Sequence, residues 1–538
     1  MKTTLLSLLF LVPLVMSAQY RSEVWCPDQG DGTYINPVIN ADYSDPDVCA
    51  VGDDYYLVAS SFNCMPGLPI LHSKDLVNWT IIGHALNGAY TKDFSHKPAH
   101  GKGVWAPSIR YHNGMFYIYW GDPDYGIFVV TSKYPDKGWT APVCVVEGRG
   151  LIDPCPLWDD DGRCYLVNAW ANSRCGFNSV LTIRELSPDG MKVIGSPRIV
   201  FDGGQINHTT EGPKLYKYGG YYWIMCPAGG VEMGWQLAMR SKSPYGPYEW
   251  KRVLEQGSSN IAGPHQGAWV HTPYGEDWFL HFHDKGALGR VVFLQPVDWS
   301  SGWPIMGKDR QPLARYKKPK SCQQIICNPQ ESDEFNSLEI GKQWQWNATY
   351  QQQWGMPTSD GCIRLYTADS DSMTNFWDAG NMLLQKMPAD SFTATAKMRM
   401  AAKEENQLGG IVCMGSNYSA LVVNYIKGQF VLQQLDCNNA DQGGKEKVKT
   451  ILAMEPTERD TIPYSPAVYL DIILRLTVTN GMCTFSYSQD GNIYYQVGEK
   501  FIAQKGRWIG AKVGLVAMCT KRKSCRGWID ADWFRITR

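Results

Sequence analysis

Excess charge is the first thing this chain lacks: 51 Lys and Arg stand against 52 Asp and Glu, a net charge of −1. Such a balance gives no basic footprint for nucleic acid and no polybasic surface for anionic lipid, so neither is an expected partner. Long apolar runs are also missing, apart from Leu5 to Met16 in MKTTLLSLLFLVPLVMSAQ. That run follows Lys2, ends on Ser17-Ala18 and is too short to span a bilayer comfortably. It reads as a secretory signal over residues 1–18, cut after Ala18. No cysteine follows the cut, so no lipid anchor is expected. The mature protein is expected to be exported (periplasmic or extracellular), soluble and free of membrane insertion. No Cys-x-x-Cys pair or His-Cys cluster has zinc spacing. The 16 cysteines are scattered rather than gathered into a small disulfide framework. Cys322/Cys327 and Cys519/Cys525 are close enough in sequence to bridge, but buried free thiols fit as well. Cysteine is read as structural. No low-complexity segment or coiled coil occurs.

Turns and aromatics are what the chain has, with Gly 52, Pro 31, Trp 21 and Tyr 29 among short apolar runs. Strands are therefore expected rather than long helices. The stretch NHTTEGPKLYKYGGYYWIM, from Asn207, places Glu211 before Gly212-Pro213. A short run, a Tyr-Gly-Gly turn and an aromatic run follow, which reads as a hairpin with the acid at its mouth. The plan recurs in SDPDVCAVGDDYYLVASS from Ser44, WAPSIRYHNGMFYIYWG from Trp105, IDPCPLWDDDGRCYLVNAW from Ile152 and PHQGAWVHTPYGEDWFLHFH from Pro264. The anchors Asp45, Ala106, Asp153, Glu211 and His265 lie 47 to 61 residues apart. Five such units predict an all-β fold that starts with a five-bladed β-propeller over residues 30–313, its first strands lining one channel. Trp79 is expected to pack between blades. Residues 314–330, rich in charge and proline, read as a linker or as a strap across the propeller. Regular strands joined by Gly, Asn and Asp turns then predict a β-sandwich over residues 331–538.

Three channel-facing acids from three blades suit glycosidic bond hydrolysis. That reaction needs an acid for the leaving oxygen and a second carboxylate across the sugar, with a third available to raise the acid's pKa. Taken singly the acids are ordinary: Asp-Pro is a common strand-start turn, and a loop Glu before Gly-Pro is unremarkable chemistry. Asp159-Asp160-Asp161 looks like part of a calcium loop but lacks the full pattern, and is read as the hairpin turn of the third blade.

In their order, SDPD, GVWAPSI, GLIDP, TEGPKLYKYGGYYW and the Arg290 segment resemble glycoside hydrolase family 43. DEFNSLEIGKQWQWN resembles the concanavalin-like jelly-roll sandwich of its xylosidase-type members. The resemblance implies Asp45 as general base, Glu211 as general acid and Asp153 as the acid's modulator. It further implies that Arg290 holds a sugar hydroxyl and that Phe62, Trp105 and Ala106 shape the terminal-sugar pocket. His265 would neighbour a water-bound structural Ca2+ in the channel, with no organic cofactor. The implied activity is exo-acting, inverting release of terminal α-L-arabinofuranose or β-D-xylose from plant cell-wall oligo- or polysaccharide. Gly229-Gly230-Val231 stands where similar xylosidases tend to carry Gly-Gly-Thr, which with HQGAW tilts the reading toward arabinofuranose. The fructan-cleaving propellers fit poorly, since they begin with a WxNDPNG-like stretch and place Cys after the acid. The alternatives are a carbohydrate-binding propeller without catalysis, and a glycan-binding role for the sandwich.

Overall fold

Turn chemistry sets the repeating unit. In the stretch from Asn207, Gly219 and Gly220 take φ of 57° and 75°, and Tyr218 pairs with Tyr221 across them. A two-residue turn with both centres left-handed excludes most residues with a Cβ, and glycine meets it without that clash. The turn joins Lys214–Tyr218 to Tyr221–Ala228, and Trp235–Ser241 and Glu249–Leu254 complete a sheet in chain order. Four more four-stranded sheets of the same order begin with Asp47–Val51, Trp105–His112, Leu151–Trp158 and His265–His271. These are the five blades of a propeller. The computed structural model that shows them describes residues 19–321, 323, 325–369, 375–460, 466–520 and 526–538. The expected signal segment, and Cys322 and Cys525 of the two candidate bridges, lie outside the described residues.

First strands are largely buried near their starts and become exposed toward their far ends in several blades. Leu151–Trp158 is buried over its first six residues, and each fully buried aliphatic or aromatic side chain contributes about 1.5–3 kcal/mol. Buried polar ties join the first strands of different blades there, because desolvated donors must find partners. Lys214 Nζ donates to Pro107 O at 3.0 Å and Ser108 Oγ at 2.8 Å. Ser108 Oγ donates to Pro154 O at 2.6 Å, and Arg110 Nη1 to Asp47 Oδ2 at 2.6 Å. Asp159 ion-pairs with Lys217 from the hairpin turn of the third blade.

The ring closes through the segment ahead of the first blade. Ile39 exchanges backbone hydrogen bonds with Val292 at 3.0 and 3.2 Å, so residues 36–43 run along Arg290–Asp298 of the fifth blade. Trp79 is buried at this closure with Tyr34, Trp278 and Leu294. The start of the 314–330 stretch is tied to the segment ahead of the first blade. Within it Arg315–Lys317 pairs with Thr33–Ile35, and Lys318 Nζ is ion-paired with Asp28 and lies 3.1 Å from Asp75.

Two eight-stranded sheets follow, one centred on Ser391–Ala402, Val468–Thr479 and Trp528–Thr537. The other is built around Gln407–Met414, Lys512–Cys519 and Tyr418–Ile426. Their core does not stop at the propeller. Leu288, Val291 and Phe293 of the fifth blade pack in one apolar cluster with Leu383, Ala511 and Leu515. Across the same seam Met65 and Trp346 exchange backbone hydrogen bonds, and His100 stacks on Trp377 at 3.7 Å. Among the described residues no helix is long and apolar enough to cross a membrane.

Candidate active site

One left-handed residue marks the start of every blade: Asp45 (φ 54°), Ala106 (32°), Asp153 (55°), Gly212 (57°) and Gln266 (34°). At Ala106, Asp153 and Gln266 the register to the next strand slips, which bends the strand and turns its first side chains into the channel. Holding non-glycine residues there costs of order 1–3 kcal/mol each, and such strain collects at functional sites. The ring corrects the sequence anchors. Asp45, Ala106 and Asp153 are equivalent, but Glu211 and His265 each stand one residue ahead of the left-handed position. Period and proline alone could not reveal that offset.

Asp45, Asp153, Glu211, Phe62, Trp105, Ala106 and Arg290 line one open cavity, joined by Ile152, Val231, Gln266 and Trp508. Asp45 is almost fully buried. Its Oδ2 accepts from Ser60 Oγ at 2.6 Å, and Arg290 Nη1 lies 3.3 and 3.4 Å from its two oxygens. Ser60 Oγ also accepts from the Ala106 N–H at 2.8 Å, so one hydroxyl fixes the starts of two blades. Asp153 Oδ2 accepts from the Gly212 N–H at 2.7 Å, binding it to the backbone beside Glu211. Phe62 and Val104 exchange backbone hydrogen bonds, and the Phe62 ring meets Trp105 edge-on at 6.2 Å.

The carboxyls are not equivalent electrostatically. Burial pushes Glu211 well above the usual carboxylate range, and repulsion from Asp153 and then Asp45 pushes it further. Asp153 is also raised, by burial first, against the Gly212 N–H that favours its charged form. A quarter of the Glu211 side chain faces the cavity, so this proton-holding group is within reach of a ligand.

His265 is placed differently from the other site residues. It is fully buried outside the cavity lining, with Nε2 3.4 Å from Glu211 Oε1, and neither ring nitrogen has a hydrogen-bond partner. Burial lowers its pKa to about 3, so the imidazole is neutral. Among the described residues no three His, Cys, Asp or Glu side chains gather to hold a metal. Sequence reasoning missed Trp508, which arrives from the loop between Tyr495–Ile502 and Lys512–Cys519. It packs on Trp105 at 5.9 Å and lies the same distance from the Arg290 guanidinium. A tryptophan alone between Gly506 and Gly510 was the available signal. A second open cavity adjoins the first, sharing Val231, Arg290 and Trp508.

Comparison with known proteins matches both parts of the chain. Residues 34–304 match Glycosyl hydrolases family 43, and residues 332–537 match the Beta xylosidase C-terminal Concanavalin A-like domain. A putative beta-xylosidase of Xylanibacter ruminicola is 33% identical over 506 residues, spanning 92% of this chain and 88% of that protein. A non-reducing end alpha-L-arabinofuranosidase of Bacteroides ovatus is 32% identical over 422 residues, spanning 74% and 77%. Among solved structures, the Bacteroides ovatus xyloglucan-locus protein of the same family superposes with a TM-score of 0.79 at 27% identity. That match covers 94% of this chain and 99% of the other.

Proposed function

This chain belongs to glycosyl hydrolases family 43, and from that premise we propose an exo-acting, inverting hydrolase of plant hemicellulose that releases terminal pentose. Glu211 is the general acid that protonates the leaving oxygen. Asp45 is the base that activates water on the opposite face of the sugar. Asp153 keeps Glu211 protonated by repulsion and pins the Gly212 backbone beside it. Arg290, already against Asp45, donates to a sugar hydroxyl, while Phe62, Ala106 and Trp105 wall the terminal sugar. The observation that carries this reading is the meeting of the three acids at one cavity, with Glu211 raised by burial and by its two neighbours. Trp508 narrows the cavity from the sandwich side, which suits removal of end sugars.

Val231 supports α-L-arabinofuranose over β-D-xylose, because it lines the cavity with no hydroxyl for a sugar to meet. Aryl α-L-arabinofuranoside and aryl β-D-xyloside assayed side by side test this, with the first cleaved faster. Binding of arabinoxylan oligosaccharides with no sugar released from any of them would favour the non-catalytic propeller instead.

Calcium fits only in one form. The ion takes six to eight oxygen ligands, and among the described residues no three Asp, Glu, His or Cys side chains gather to supply them. A hydrated ion touching His265 fits, since the neutral imidazole has two unpaired nitrogens. Bound there it would supply positive charge beneath Glu211. Chelation should lower activity or stability and calcium restore it, whereas fully active enzyme free of metal by elemental analysis would remove the ion. Export through cleavage after Ala18 completes the reading, and the N-terminal sequence of the secreted protein checks it.

A further inference from the structure

Asp42 stands where three segments meet, and no role above uses it. It is 3% exposed, and its two oxygens accept from two different parts of the chain. Oδ1 accepts from the Arg290 backbone N–H at 2.8 Å, and Oδ2 from the Gly510 N–H at 3.0 Å. Arg290 opens the fifth-blade strand whose guanidinium faces Asp45. Gly510 lies two residues beyond Trp508 on the sandwich loop. Asp42 itself is on the ring-closing segment, three residues ahead of Asp45, and the next N–H, of Tyr43, donates to Arg290 O at 3.1 Å.

The surrounding backbone is built for this approach. A Cβ on Gly289 would stand 2.6 Å from Asp42 Oδ1 and 2.7 Å from Gly510 Cα. A Cβ on Gly510 would stand 2.6 Å from Leu288 O. Ala511 N donates to Ala287 O at 2.7 Å, and Lys505 pairs with Asp284 at 3.0 Å on the rim of the second cavity. A carboxylate accepting from two backbone N–H groups makes charge-assisted bonds in fixed directions. An amide in its place has one acceptor and would turn its own N–H2 toward the other donor.

We infer that Asp42 is a positioning residue that locks the Trp508 loop and the Arg290 strand into one unit. Docking of the sandwich and placement of the arginine at the base Asp45 are then set together. The inference rests on the glycosidase reading of the site and deepens it.

The test is a double-mutant cycle in the full-length protein with Asp42→Ala, Trp508→Ala and the pair. It uses the aryl pentoside that the wild type cleaves best. Each single change should lower kcat/KM by about 10- to 100-fold, since a small misplacement at a reacting centre costs that much. The pair should lose much less than the product of the two losses, because both remove the same unit. The alkaline limb of the pH–rate profile in Asp42→Ala should move up. Arg290 favours the ionised form of Glu211, so its retreat leaves the acid protonated to higher pH. Losses that multiply, with an unmoved alkaline limb, would overturn the inference. Asp42→Asn, which keeps the volume and one acceptor, carries the same readouts if the alanine variant fails to fold. Amide hydrogen exchange over residues 286–292 and 505–512 decides the matter without activity, because both segments should lose protection together. If the wild type cleaved no pentoside, the glycosidase reading would fail, and that exchange result would still judge Asp42.

Discussion

At Glu211 two influences act in the same direction, desolvation and repulsion from Asp153 and Asp45, and both hold its proton. Glu211→Gln removes the proton and Asp45→Asn removes the base. Each should therefore lower the rate on a natural oligosaccharide by about 10²–10⁴-fold, measured against wild type at the same pH. Near-normal turnover in either variant would displace that residue from its role. Asp153→Asn has a second signature. With its charge gone the repulsion that raises Glu211 is smaller, so the acid deprotonates earlier and the alkaline limb of activity moves to lower pH. An unmoved limb would reduce Asp153 to a backbone pin. These acids were legible because a proline one or two residues after each one marks a strand start and the five starts recur. Trp508 was not, since nothing in local pattern joins a loop after residue 500 to strands that begin at Asp47 and Trp105.

The element that aims the acids is the left-handed residue at each blade start, and glycine fills that position only in the fourth blade. At Gly212 (φ 57°) a Cβ would also stand 2.8 Å from the Gln266 side chain. Gly212→Ala should therefore cost about 1–2 kcal/mol of stability from backbone strain, read by denaturant unfolding. It should lower activity by more than that loss of folded protein explains, because Glu211 is the preceding residue. Stability lost with specific activity intact would separate the bend from the aiming of the acid. Hairpins were easily read here, as at Tyr218-Gly219-Gly220-Tyr221, because a two-residue turn states its own chemistry. The one-residue offset of Glu211 and His265 was not legible, since register is settled by the neighbouring strand and leaves no mark on spacing.

At the scale of the molecule, propeller and sandwich share one apolar core through Leu288, Val291 and Phe293. Cutting near Pro319 would expose that face and remove Trp508. The isolated propeller should be insoluble or poorly active, and a well-folded fragment with unchanged kinetics and products would show two independent modules. Five blades and a sandwich were visible in the sequence as repeats and alternating strands, whereas the residues that make the shared core were not, because contacts between distant segments have no period. The assembled account makes one claim that needs no knowledge of the natural substrate: Asp45 and Glu211 work on opposite faces of the sugar, with a water between base and anomeric carbon. Proton NMR in the first minutes of hydrolysis of an aryl pentoside, before mutarotation, reads this directly. The account predicts the anomer opposite to that of the substrate, and first-formed sugar of the same anomer would contradict it.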